Sequence, residues 1–163
     1  MAKDFELTDE MRSHIGEASD PWVHEVTTTS VRAFARGVGY TDPVYFDLEA
    51  ARRAGYRSLP APPTYLGTPI FVPGRSSDTF SGPASTRSGL KHGLPGLLDG
   101  GTETVYQGDV CSGDTLTVVS KLADLEVKES KALGKMLVTT QETTYTNQDG
   151  KGVAVQRSQA IFY

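Results

Sequence analysis

TLTVVSKLADLEVKESKALGKMLVTTQETTYTNQDGKGVAVQRSQAIFY, residues 115–163, decides the fold class. Thr115–Asp124 alternates with period two, so Leu116, Val118 and Leu122 share one face of an expected strand. Residues 125–128 prolong it past an irregularity, and a charged, Gly-containing turn follows at 128–135. Met136–Thr146 is rich in Val and Thr, whose branched side chains suit a pleated surface. Asn147-Gln148-Asp149-Gly150 is a hairpin signal, and Val153–Tyr163 reads as the closing strand. Consecutive strands joined by short turns form an antiparallel meander.

Upstream, residues 102–110 alternate and Ser112-Gly113-Asp114 turns. Residues 74–96 are rich in Gly, Ser, Pro and Arg, the composition of a long mobile surface loop. His92 on that loop reads either as a surface histidine or as a group delivered to a site. The stretch SLPAPPTYLGTPIFVP at 58–73 carries five prolines. A helix over Thr64–Phe71 is expected there, with Pro62 and Pro63 at its start and Pro69 shortening it, since that ring removes an internal N–H.

Helices dominate the first half. Thr8 is expected to cap a helix to Gly16, without a capping box because Met11 stands where Glu or Gln would complete one. Residues 1–20 read as an N-terminal extension, and Trp22–Val26 as a short strand with His24 partly exposed. Val31, Phe34, Ala35 and Val38 follow helical spacing behind a cap at Thr29 or Ser30, and Gly39 supplies the stop. Asp47 caps a second helix, Leu48–Ala54, ended by Gly55. Between them, Phe34–Asp47 (FARGVGYTDPVYFD) crowds aromatic and acidic side chains into a braced loop, the kind of place where sites sit. The same residues also fit a plain connection with Tyr45 and Phe46 packed into the core. Arg52, Arg53 and Arg57 form a local basic patch, either a solvated face or a contact for phosphate.

Helices first and a meander after make an α+β chain. At 163 residues a single domain, 1–163, is expected. A net charge of −4 without a basic run argues against nucleic acid. Nothing approaches the ~20 apolar residues that span a bilayer, and the first residues lack a signal-peptide core. With Cys111 as the single cysteine no disulfide framework is possible, and a cytoplasmic setting is expected. No metal-ligand spacing stands out. Long strands in a small domain leave edges that pairing with another subunit would cover, so a dimer is expected.

GYTDPVYFD at 39–47, APPT at 61–64, GGTETVYQGDVCSGDTLTV at 100–118 and TTYTNQDG at 143–150 occur in an order that resembles a MaoC-type hotdog domain. More narrowly the chain is similar to the N-terminal half of double-hotdog dehydratases, the FAS1-like dehydratase domain. The resemblance implies a curled antiparallel sheet around a central helix, here Pro-rich and shortened. Active members hydrate enoyl thioesters or dehydrate 3-hydroxyacyl thioesters, carried on coenzyme A or acyl carrier protein, without a further cofactor. Their loop reads G-D-x-N-P-I-H; the Asp and His act on one water, and a backbone N–H at the start of the central helix polarises the thioester carbonyl.

On this chain the resemblance puts Tyr40 in place of the Asp, Asp42 in place of the Asn and Tyr45 in place of the His. Pro63, which has no N–H, falls where the helix-start donor belongs. The implied role is a substrate-binding, non-catalytic subunit that pairs with a catalytic MaoC-like subunit. Pro63, Thr64, Tyr65, Leu66 and Phe71 would line an acyl tunnel, and Arg52, Arg53 and Arg57 would steer the carrier phosphates. Two alternatives stay open. One is a stand-alone dehydratase, cyclase or isomerase using Tyr40, Asp42 and Tyr45, with Asp99 or His92 arriving from the loop; the other is a non-enzymatic acyl-thioester binder or a structural dimer.

Overall fold

Strands β1 (Trp22–Glu25), β2 (Leu97–Tyr106), β3 (Thr115–Ser130), β4 (Gly134–Thr146) and β5 (Gly152–Phe162) form one antiparallel sheet in the order β1-β3-β4-β5-β2. The computed structural model describes residues 5–67 and 90–163. The meander of β3, β4 and β5 is the centre of the sheet, and β1 and β2 are its edges. The irregularity expected after Asp124 is a register shift in β3 between Leu122 and Asp124. Its extra residue puts Leu122 and Leu125 on the same buried side, which unbroken alternation would not, and bends the strand. β2 runs Leu97–Tyr106 rather than 102–110, because a second shift between Asp99 and Gly101 lets pairing with β5 continue through the glycines. The hairpin at Asn147 holds: its Oδ1 accepts from Asp149 N at 3.1 Å and Lys151 N at 3.0 Å.

Three short helices precede the meander: α1 (Asp9–Ser13), α2 (Thr28–Gly37) and α3 (Leu48–Arg53). Thr8 caps α1 and Asp47 caps α3, the latter accepting from Ala50 N at 2.7 Å. The cap of α2 is Thr27, not Thr29 or Ser30. Ser30 Oγ returns to the Thr27 backbone N–H while Thr27 Oγ1 accepts from Ser30 N, both at 3.0 Å, so the box selects one residue from a run of hydroxyls. Gly39 (φ +82°) and Gly55 (φ +94°) adopt the left-handed conformation expected after their helices. Of the segment expected as a central helix, the described part is a 3₁₀ turn, Tyr65–Gly67. Pro69, Phe71 and the 74–89 part of the expected loop lie outside the described residues.

Two apolar clusters pack against the concave face. One gathers Val31, Ala51, Leu59, Tyr65, Leu116, Val118 and Tyr145 near the helices, and the other Met11, Leu90, Leu94, Leu122, Leu125 and Leu137 at the far end. Polar side chains lie on the same face between them: Ser120, Gln141 and Thr143 are all buried. His24 is a correction to the expected exposure. It is 5% exposed, because the residue that points inward from β1 sits over Tyr65.

Candidate functional site

The loop between α2 and α3 is shaped by its own side chains. Asp42 accepts from Val44 N at 3.0 Å and so caps a 3₁₀ turn, Pro43–Tyr45, whose first residue is the proline. That turn sets the Tyr45 ring against the Tyr40 ring, with centroids 5.4 Å apart and planes 29° from parallel. Arg32 Nε donates to Phe46 O at 3.0 Å, tying the loop back onto α2. Asp42 is therefore an exposed turn-capping carboxylate, and Tyr40 and Tyr45 are a stacked aromatic pair.

Beside this pair lies a cavity of about 190 Å³ lined by Val44, Tyr45, Tyr56, Pro63, Tyr106, Asp109 and Val110, among others. Its walls come from four distant stretches of chain: the loop, the residues after α3, the Pro-rich segment and the end of β2. Tyr106 O–H donates to Pro63 O, so the proline without an N–H still anchors the cavity rim through its carbonyl. Burial pushes the Tyr106 phenol up to about 12. The Tyr45 phenol is also raised, first by burial and then by the negative charges that Tyr40, Asp42 and Tyr56 would carry. Phenols held above their usual range keep their protons near neutrality and serve as hydrogen-bond donors, not as bases.

The expected site residues separate in the fold. Tyr45 and Pro63 meet in the cavity, with Tyr40 stacked behind. Tyr65 and Leu66 are buried in the core: Tyr65 O–H and Ser30 Oγ lie 2.6 Å apart, its ring sits between His24 and Phe34, and Leu66 O accepts from Tyr145 O–H at 3.0 Å. Thr64, Arg52 and Arg53 are exposed, and Arg52 lies 3.5 Å from Glu49. Arg57 is engaged by Asp114, whose side chain is wholly buried, so it is not an uncommitted cation on the patch. Phe71 lies outside the described residues.

Asp99 and His92 do not join the loop. Asp99 accepts from Gly101 N at 2.8 Å beside the register shift, and His92 packs on Phe162 with centroids 4.2 Å apart. Phe162 is eight residues along β5 from Ala154, the partner of Tyr106, which is roughly 26 Å of strand. Among the described residues no group of three or more His, Cys, Asp or Glu side chains is placed to hold a metal ion, and no helix is long and apolar enough to cross a membrane.

Tyr56, Tyr106, Asp109 and Asp114 were not singled out in the sequence as site residues. Asp114 appeared only as part of a turn. In the fold it accepts from Arg57, from Cys111 N at 2.8 Å and from Gln148 Nε2 at 3.3 Å. Burial pushes its carboxyl up, but these donors and the guanidinium charge outweigh that and hold it below the usual carboxylate range. The network braces the chain entering and leaving the cavity wall at Tyr56–Pro60 and Asp109–Val110.

His24 adds a pH response. Burial pushes its imidazole from 6.5 down to about 4, and its Nδ1 has no hydrogen-bond partner. The unfolded chain therefore binds this proton more readily than the folded one. The stability is present in full above pH ~6.5 and is lost as pH falls toward 4, by up to about 3 kcal/mol. His24→Gln removes the titration, so the stability difference between wild type and variant should narrow between pH 7 and 4.5 in urea unfolding. A constant difference across that range would disprove the assignment.

A family model described as "FAS1-like, dehydratase domain region" matches residues 13–156. A UPF0336 protein of Parafrankia is 36% identical over 123 residues, covering 76% of this chain and 75% of the relative. A Thermomonospora curvata protein named "Probable enoyl-CoA hydratase alpha subunit" is 26% identical over 140 residues, covering 81% of this chain and 43% of the relative. Among solved structures, the ChsH1–ChsH2 complex of Mycobacterium tuberculosis matches with a TM-score of 0.74 at 19% identity, covering 90% of this chain and 88% of that one. A MaoC-like dehydratase of Rhodospirillum rubrum matches with a TM-score of 0.60 at 23% identity, covering 91% and 92%. At these identities the structural matches speak for the fold, which is the hotdog arrangement expected from the motifs.

Proposed function

The chain belongs to the FAS1-like dehydratase family, and from that premise we propose that it is the substrate-binding, non-catalytic subunit of a heteromeric enoyl-thioester hydratase or 3-hydroxyacyl-thioester dehydratase. One observation carries the reading. At the two positions where active relatives place an acid/base pair, this loop holds a stacked pair of tyrosines, one of them with its phenol raised. Asp42, the remaining acid, is occupied as a cap, and Pro63 offers a carbonyl where a backbone donor would serve. The aromatic cavity suits the apolar start of an acyl group and the thioester, with Arg52 and Arg53 exposed nearby on α3 for the phosphates of coenzyme A or acyl carrier protein.

A partner fits the sheet. β2 is an edge strand, and Leu97 and Val105 on it are 61% and 53% exposed. Strand edges with apolar side chains favour pairing with a second chain. The ChsH1–ChsH2 match is to a two-component complex, which agrees with this reading.

Co-expression with a MaoC-like subunit that retains the Asp and His tests it. A stoichiometric complex in size-exclusion chromatography and a change in the acyl range of the partner are expected. Separate elution with unaltered partner activity would remove the basis for a heteromer.

A further inference from the structure

The convex face of the sheet carries an ordered pattern of its own. Ser120 and Leu122 on β3, Gln141 and Thr143 on β4 and Ala154 on β5 are buried on the concave side. The residues that alternate with them, Lys121, Glu142 and Val155, therefore point outward together with their cross-strand partners. Paired across β3, β4, β5 and β2, Lys121, Glu142, Arg157 and Glu103 form one row whose charge alternates in sign. Val119, Thr144, Val155 and Val105 form the row beside it.

Within the chain these charges are unevenly matched. Lys121 Nζ lies 2.9 Å from one oxygen of Glu142, and Arg157 donates to the other from Nε at 2.9 Å and Nη2 at 2.8 Å. One carboxylate thus serves two cations. Glu103, at the β2 end of the row, forms no ion pair among the described residues. Beside Glu103 and Arg157 a hollow of about 380 Å³ opens along Gly100 and Gly101, which carry no side chains.

A second copy of the same face complements this pattern in one orientation. A two-fold axis along the strands, passing between β4 and β5, sets β3 of one copy against β2 of the other and β4 against β5. Lys121 then meets Glu103 of the second copy, and Glu142 meets Arg157. In the next row Val119 meets Val105, and Thr144 meets Val155. Stacked sheets lie about 10 Å apart, a gap that facing Lys and Glu side chains span. An axis across the strands would instead set Lys121 on Lys121 and Glu142 on Glu142, and like charges disfavour it.

We infer that the convex face is a self-association surface, pairing two copies of this chain back to back through the charged row and the valines beside it. The pairing leaves the β2 edge and the cavity beside Tyr45 uncovered, so it stands or falls separately from the function proposed above.

Sedimentation velocity of the full chain over a concentration series tests it. Reversible association is expected at micromolar concentrations and above, weakening as salt screens the row. Glu103→Lys makes both Lys121–Glu103 contacts repulsive, and Lys121→Glu does the same with the opposite sign. Each variant should associate about tenfold or more weakly than wild type. An equal mixture of the two restores opposite charges at both ends of the row, and should associate about as tightly as wild type. Glu103 is exposed and the Lys121 side chain is 44% exposed, so both variants should fold. Association unchanged in the single variants would place self-pairing elsewhere and overturn the inference, as would a mixture that fails to recover. So would a wild-type chain that stays monomeric at ~1 mM.

Discussion

Purified on its own, the chain is expected to hydrate short or long enoyl-CoA thioesters at a rate about 10⁴-fold or more below that of an active hydratase. The size follows from what is missing. General acid/base groups contribute about 10²–10⁴ in rate, and a single oxyanion donor about 10²–10³. On the proposed alignment with active relatives, Tyr40 and Tyr45 stand in place of the acid/base pair, and a free phenol of pKa ~10 is only about 10⁻³ ionised at pH 7. Tyr45 is less ionised still, because burial raises it. The same proposed alignment puts Pro63, whose carbonyl accepts from Tyr106, where the oxyanion donor would stand.

Loss of enoyl absorbance with time measures the rate directly. Turnover of about 1 s⁻¹ or faster, ordinary for an enzyme, would refute the non-catalytic role. In that event Asp42→Asn and Tyr45→Phe would show whether the loop supplies the chemistry.

Asp114→Ala is expected to destabilise the fold by about 3 kcal/mol, mainly because buried hydrogen bonds to the carboxylate are lost, while the half-exposed Arg57 returns to water. The carboxylate is fully buried, and three donors from separate parts of the chain converge on it. Its removal leaves the buried Cys111 N–H without an acceptor and frees the Arg57 side chain. For a domain of this size the thermal midpoint should fall by about 10 °C. Asp114→Asn, which keeps an acceptor but not the charge, should lose less.

Because the folded carboxyl titrates below its unfolded value, its contribution is present above pH ~4 and disappears as pH falls through the folded value. Wild type and Asp114→Ala should therefore differ fully at pH 7 and converge in acid, below the range in which His24 acts. A midpoint within about 2 °C of wild type at neutral pH would show that the network is not a brace.

Local chemistry was legible in the sequence wherever a few neighbouring residues settle the outcome. Thr8, Asp47, Gly39 and Gly55 bound their helices as read, and the Asn147–Gly150 turn closes its hairpin. The cap of α2 was misplaced by two or three residues because Thr27, Thr28, Thr29 and Ser30 are locally equivalent, and only the reciprocal bond from Ser30 distinguishes them. His24 was misread because alternation gives the two faces of a strand but not which face meets Tyr65. Nor did composition reveal that Arg57 has a partner 57 residues away.

By itself the sequence determined the α+β order, the meander and most of the turns, since all of these depend on side-chain identity and close neighbours. Tertiary structure alone decided that Tyr45, Tyr56, Pro63 and Tyr106 share a cavity, that Asp114 holds Arg57, and that a band of buried polar residues, Ser120, Gln141 and Thr143, shares a face with the apolar core. Each of these depends on strand register and on chain returning from dozens of residues away, and a one-residue shift in register would turn every side chain in the band to the opposite face.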